Sequence, residues 1–201
     1  MIVRQIGVGT MQNFVYLLTD RPGNEALAID SGWETGPIVN AARDAGVKVK
    51  FAVATHNHFD HTSTLRELAG RLGAKVVAHE SSPTDHDVPV KGGDVLMVGQ
   101  NEVKVIYTPG HTADSICLYD GENLFTGDTL FIGNCGRTDL PGGSTEEMFR
   151  SMHDVILKLP PSTTIYPGHD YGDVPFRKLG EEAQSNLALS ARTYAEFLRV
   201  P

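Results

Sequence analysis

Four short strand-like runs in this 201-residue sequence each lead into a histidine or aspartate that can ligate a metal. Phe51 to Thr55 runs into His56, Val105 to Thr108 precedes His111, Leu124 to Thr126 precedes Asp128, and Thr163 to Tyr166 precedes His169. Residues at strand ends can converge on one rim of a sheet, where a rigid scaffold supports loops free to adopt unusual backbone angles. Pro109-Gly110 and Pro167-Gly168 supply the turns at two of these ends.

The segment His56-Asn57-His58-Phe59-Asp60-His61 concentrates four candidate ligands in six residues. In an extended chain the i, i+2 spacing sends His56 and His58 to the same side, so both reach one ion. Asp60 and His61 fall where the chain turns into the next helix and can face a second ion a few Å away. Together with His111, Asp128 and His169 they form a nitrogen and oxygen donor set with no cysteine. Such a set suits a catalytic site with open positions, whereas structural zinc prefers a closed, cysteine-rich tetrahedron. His79, His86 and His153 lack this context and read as ordinary hydrogen-bonded core or surface histidines.

The length fits a single domain over residues 1–201. Seventeen basic against 25 acidic residues give a net charge of −8, which disfavours nucleic-acid binding through counterion release. No apolar run approaches the roughly 18 residues of a membrane span, and Met1 to Gly7 carries no export pattern. Cys117 and Cys135 are the only cysteines and read as reduced thiols. A soluble, cytoplasmic enzyme acting on a small molecule is expected; nothing in the sequence fixes its oligomeric state.

Phe14 to Thr19 and Glu25 to Asp30 read as strands of a hairpin, separated by Asp20, Pro22, Gly23 and Asn24. Pro37 and Gly46 bracket a helix from about 37 to 45. Ser63 or Thr64 is expected to cap a helix carrying Leu65, Leu68, Ala69 and Leu72 before Gly73. Glu80 to Asp94, rich in breakers, reads as a surface loop. Strands follow at Val95 to Val98, Val103 to Thr108, Ser115 to Tyr119 and Asn123 to Thr126, and then the Gly-rich segment Gly133 to Gly143. Ser144 and Glu147 predict a capping box for a helix running to about Leu159. Tyr194, Phe197 and Leu198 predict an apolar stripe on a short terminal helix.

The HxHxDH loop, Thr108-Pro109-Gly110-His111-Thr112, Thr126-Gly127-Asp128-Thr129-Leu130-Phe131 and Tyr166-Pro167-Gly168-His169-Asp170-Tyr171 resemble the metallo-β-lactamase superfamily over nearly the whole chain. Within it the sequence is similar to glyoxalase II-like hydrolases and to persulfide dioxygenases, which share the segment around Cys135-Gly136-Arg137-Thr138-Asp139. The resemblance implies an α/β fold, a four-layer αββα sandwich with the metal site at one edge. It assigns His56, His58 and His111 to one metal and Asp60, His61 and His169 to another, with Asp128 bridging. By the same resemblance Tyr171 touches a glutathione or other thiol derivative, and Arg137 is a substrate-site candidate. The sequence departs from glyoxalase II by ending soon after His169, where that family carries a helical domain with basic glutathione contacts. Thr62, Ser63 and Thr64 stand where the family often has Gly-Gly, which affects the start of the helix rather than the metal chemistry.

Two divalent ions, zinc first and iron or manganese next, would lower the pKa of a shared water and polarise a carbonyl. The first expectation is therefore a glyoxalase II-like hydrolase that cleaves a small thioester or related acyl substrate with a metal-bound hydroxide. Asp60 and Asp128 are the catalytic carboxylates, Asp60 being placed to orient that hydroxide. Arg137, Arg177 and Lys178 are the cations best placed in sequence to attract an anionic substrate. The alternative is a persulfide dioxygenase, a mononuclear iron oxidoreductase whose ligands, by resemblance, are His56, His111 and Asp128. A nucleic-acid-processing member ranks third and a non-catalytic binding module last.

Overall fold

The strands form two sheets packed face to face, their central strands buried on both faces. A computed structural model describes residues 1–20 and 24–200; Pro22 and Gly23 of the expected turn lie outside the described residues. The first sheet comprises β1 (Ile2–Val8), β2 (Asn13–Thr19), β3 (Glu25–Ile29), β4 (Lys48–Val53), β5 (Lys75–His79) and β6 (Val88–Val90), adjacent in that order. The second comprises β7 (Val95–Val98), β8 (Asn101–Tyr107), β9 (Ile116–Tyr119), β10 (Asn123–Gly127), β11 (Thr164–Pro167) and β12 (Arg177–Lys178), with β12 and β7 at its edges.

Every residue of β2 is buried. Phe14, Tyr16 and Leu18 point between the sheets, where they meet Leu96, Val103, Ile116 and Phe125 of the second sheet. Val15 and Leu17 point the other way, onto Ile38 and Ala42 of α1 (Gly36–Ala45) and Leu68 of α3 (Leu65–Leu72). On the far side, Leu124 and Ile165 pack against Met148 of α4 (Thr145–Arg150), Leu179 of α5 (Leu179–Ser185) and Leu189 of α6 (Leu187–Ser190). The result is the αββα sandwich. Parallel pairing of β3, β4 and β5 follows from the helices between them, since a crossover is needed to bring a strand back in the same direction.

Helix α1 begins with proline in its first turn and ends at Gly46 with φ 64°, as its sequence signals require. Other expectations need correction. Val88–Val90, within the segment read as a loop, pairs in parallel with β5 and forms the edge of its sheet; Pro89 is tolerated there because an edge strand has an unpaired side. The helix expected to reach Leu159 is α-helical only to Arg150, then widens to a π turn over Ser151–Val155 and tightens to a 3-10 turn over Ile156–Lys158. Ser144 caps it, accepting from Glu147 N at 3.3 Å. The complete capping box lies instead at Thr193 and Glu196, before α7 (Tyr194–Phe197). On α7 only Phe197 is buried, while Tyr194 and Leu198 are exposed, so the expected stripe narrows to one anchor. Thr64 precedes α3 without capping it, because Ser63 and Thr64 both donate their hydroxyls to Gly32 O, at 3.0 and 3.1 Å.

No helix among the described residues is long and apolar enough to cross a membrane.

Candidate metal centre

The four ligand-bearing runs end on one rim between the sheets. β4 leads to His56, β8 to His111, β10 to Asp128 and β11 to His169. The sheets are tied there by Phe14 N donating to Gly168 O at 2.8 Å and by a bridge between Asn13 and His169. His58 ends as the extended residue before α2 (Phe59–Thr62), whose first turn carries Asp60 and His61.

All seven expected ligands meet. The donor atoms of His56, His58 and His111 lie within 4.8 Å of one another, as do those of Asp60, His61 and His169, and those of His56, His61 and Asp128. His58 Nδ1 is 2.9 Å from His111 Nε2, and His61 Nε2 is 3.2 Å from His169 Nε2. Asp128 stands between the two groups: Oδ2 is 3.5 Å from His111 Nε2 and 3.3 Å from His169 Nε2, and Oδ1 is 3.3 Å from His61 Nε2.

Outer contacts aim the imidazoles. His111 Nδ1–H donates to Arg137 O at 2.7 Å, His169 Nδ1–H to Met11 O at 2.9 Å, and His61 Nδ1–H to Asp30 Oδ2 at 2.8 Å. Thr55 gives its hydroxyl proton to Asp30 Oδ2 at 2.9 Å, so its oxygen accepts from His56 Nδ1–H at 3.0 Å. Each acceptor fixes the tautomer that leaves Nε2 free toward the centre. His58 is the exception and presents Nδ1. Close backbone approach completes the cradle: a Cβ on Gly168 would lie 2.4 Å from Asp128 Oδ1, and one on Gly136 2.0 Å from Asp128 O.

The electrostatics suit a cation. Burial opposes ionisation of Asp128, but His61, His169 and His56 outweigh it and hold the carboxyl well below its ordinary range. Asp60 is likewise opposed by burial and pulled down by His169, His61 and Asn13. Burial lowers His61 and His169, yet Asp128 with Asp30 raises the first to about 9, and Asp128 with Asp60 raises the second to about 10. His56 and His58 are held below their ordinary value by burial and by neighbouring imidazoles. His56 Nε2 and Asp128 Oδ1 are buried without a hydrogen bond, which a metal ligand atom would be.

A cavity of about 410 Å³ opens over the cluster, lined in part by His58, Asp60, His111, Asp128 and His169. Arg137 and Tyr171, expected near substrate, both line it. The Arg137 guanidinium is engaged by Asp139, at 2.6 and 2.8 Å. Tyr171 stacks on His169, ring centroids 4.6 Å apart. Arg177 and Lys178 do not line the cavity: they form β12, where Arg177 pairs with Asp173 and Glu182 and Lys178 donates to Thr164 Oγ1. His79, His86 and His153 stay outside the cluster, bonded to Ser81 Oγ, Thr84 O and Phe149 O.

Sequence reasoning missed Asn13, Asp30 and Thr55. Asp30 carried a usable signal, since it closes the run Glu25 to Asp30 just as the ligands close theirs; it adopts φ 57°, uncommon for a non-glycine residue. Asn13 carried none, because its role depends on β2 lying beside the end of β11.

A fold of this kind with this cluster defines a metal-dependent enzyme, and the chain belongs to the metallo-beta-lactamase superfamily, whose sequence profile matches residues 8–83 and 79–169. Human persulfide dioxygenase ETHE1 is 33% identical over 203 residues, covering 98% of this chain and 80% of the human protein. The hydroxyacylglutathione hydrolase of a Polaromonas species is 36% identical over 179 residues, covering 85% of this chain and 67% of the hydrolase. The crystal structure of ETHE1 from Myxococcus xanthus superposes with a TM-score of 0.92 at 32% identity, covering 100% of this chain and 92% of that one.

Proposed function

We propose that this chain is an iron-dependent dioxygenase of a thiol persulfide, with the metal held by His56, His111 and Asp128. The observation that carries this reading is the end-to-end likeness to ETHE1 proteins in sequence and in structure. The donor set fits such a metal. The two buried ligand atoms without a hydrogen bond, His56 Nε2 and Asp128 Oδ1, belong to these three residues. Asp60 Oδ2, outside this set, already accepts from Asn13 at 2.8 Å. Iron held by two histidines and one carboxylate supplies redox chemistry and open coordination positions.

In balanced form a persulfide R–S–SH, dioxygen and water give the thiol R–SH, sulfite and two protons. The S–S bond breaks, the terminal sulfur is oxidised and dioxygen is reduced. Within this scheme Thr55 and the carbonyl of Arg137 hold His56 and His111 in register. Phe131 and Tyr171 wall the cavity beside the cluster. His58, Asp60 and His169 form the polar floor and are positioned to hold protons beside the departing sulfite.

The second reading, hydrolysis of a thioester by two metals, is favoured by one observation: Asp60, His61 and His169 form a complete further triad within 4.8 Å. Two assays separate the readings. Iron-loaded protein is given glutathione persulfide and, separately, a neutral alkyl persulfide, and oxygen uptake and sulfite are followed; zinc- or manganese-loaded protein is given an S-acyl glutathione, and thiol release is followed. Oxygen uptake with stoichiometric sulfite from either persulfide is expected. Thiol release without oxygen uptake from either persulfide would overturn the proposal in favour of the hydrolase.

A further inference from the structure

Five large apolar side chains from four separate segments surround the mouth of the metal cavity. Met11 comes from the turn before β2, Phe59 from the first turn of α2, Phe131 and Leu140 from the stretch after β10, and Tyr171 from beyond β11. Three of them remain open to solvent, with Phe59 60% exposed, Tyr171 52% and Met11 38%. Trp33, 38% exposed, extends the patch by packing edge-on against Phe59 with ring centroids 5.1 Å apart. Isolated exposed apolar residues are ordinary, but a contiguous set around a concave opening marks a binding surface.

The same mouth is poor in available positive charge. Among the described residues Arg137 is the only lysine or arginine that lines it, and Asp139 engages its Nε and Nη2. Asp60 and Asp128 add negative charge to the floor. A glutathionyl group carries two carboxylates that need cationic or N–H partners, and carboxylates taken from water without such partners are costly. An uncharged hydrocarbon or aryl group needs none and gains from covering Phe59 and Met11.

We infer that the persulfide this site takes carries a neutral, apolar organic group rather than a glutathionyl group, and that Phe59 is the principal specificity-determining residue. The inference rests on the persulfide dioxygenase reading for its reaction, but the recognition surface is independent of it. Phe59 is flanked in sequence by the ligands His58 and Asp60 and lines the same cavity as the cluster, so an apolar group lying on its ring is held beside the metal ligands.

The test compares benzyl persulfide with glutathione persulfide on iron-loaded protein. The kcat/KM for oxygen uptake is expected to favour the benzyl compound at least tenfold. Phe59→Ala is expected to shrink that ratio about fivefold or more and Phe59→Leu to retain most of it, with iron content unchanged in both. A binding readout runs alongside. Trp33 is the only tryptophan and contacts Phe59, so its fluorescence reports occupancy when benzyl mercaptan or glutathione is titrated into the holoenzyme. Tighter binding of benzyl mercaptan, weakened in Phe59→Ala, supports the inference even if neither persulfide is oxygenated, an outcome that would refute the reaction and not the recognition. A preference for glutathione in both readouts, or a ratio that Phe59→Ala leaves unchanged, would overturn the inference.

Discussion

Asn13 Nδ2 donates to Asp60 Oδ2 at 2.8 Å, and Asn13 Oδ1 accepts from Trp33 Nε1 at 3.1 Å. One buried amide thus joins the aromatic rim of the cavity to a carboxylate of the metal cluster. Asn13→Ala leaves the buried Asp60 short of a donor, and an unmet buried group costs about 1–3 kcal/mol. Thermal unfolding of metal-free protein should show a loss of that order. An unchanged midpoint would mean that Asp60 does not depend on Asn13.

Thr55 relays between Asp30 and His56. Replacing it with valine removes the acceptor for His56 Nδ1–H and a donor to Asp30, while keeping nearly the same shape. Losing an outer partner of this kind typically lowers metal affinity about 10–100-fold. Competition with a chelator should reveal that weakening in Thr55→Val, and equal retention by parent and variant would remove Thr55 from the support of the site.

Gly168 allows the backbone to pass close to Asp128. A methyl group there would sit 2.4 Å from Oδ1, so Gly168→Ala must push the carboxylate aside. Misplacing a catalytic group by about 1 Å costs on the order of 100-fold in rate. Steady-state oxygen uptake should fall by that order while the far-ultraviolet circular dichroism stays native; full activity would mean that the carboxylate need not occupy this position.

Burial raises the Cys135 thiol to about 11 and the Cys117 thiol to about 12. Because the thiolate is the nucleophile, roughly one Cys135 in a thousand is reactive at pH 8. Iodoacetamide should therefore leave native protein unmodified under conditions that label both thiols after unfolding. Rapid modification of Cys135 in native protein, read by mass spectrometry, would contradict this.

His61 at about 9 and His169 at about 10 give metal-free protein a defined pH dependence. Their folded values exceed the ordinary value near 6.5, so the folded state binds more protons than the unfolded one between these limits. The stabilisation is complete below about pH 6.5 and is lost as pH rises through about 10. Urea midpoints of chelated protein should fall across that window, and a flat profile would deny that the carboxylates hold these imidazoles charged.

Much of this site was legible before the fold was known because its ligands end strands, and strand ends are local features. His56, His111, Asp128 and His169 each follow an apolar run that becomes β4, β8, β10 or β11. What was not legible depends on distance. Asn13 meets Asp60 only because β2 lies against the end of β11, and Val88–Val90 is a strand only because β5 offers it an edge. Arg177 looked available in sequence, yet the buried Glu182 draws it into β12 and away from the cavity. Helices α5 and α6 are too short to show a helical period and were not anticipated, although they cover the second sheet. The ordering of the two chemistries was also not local: the ligand residues fit both, and only the likeness along the whole chain favours persulfide oxygenation over thioester hydrolysis.

The most direct test of the central claim is a metal count on protein purified without added metal, paired with the same count on His56→Ala, His111→Ala and Asp128→Asn. A mononuclear iron dioxygenase should hold a single iron per chain and lose it in each of the three variants. Two zinc ions per chain, together with thioester cleavage and no oxygen uptake from any persulfide, would contradict the account.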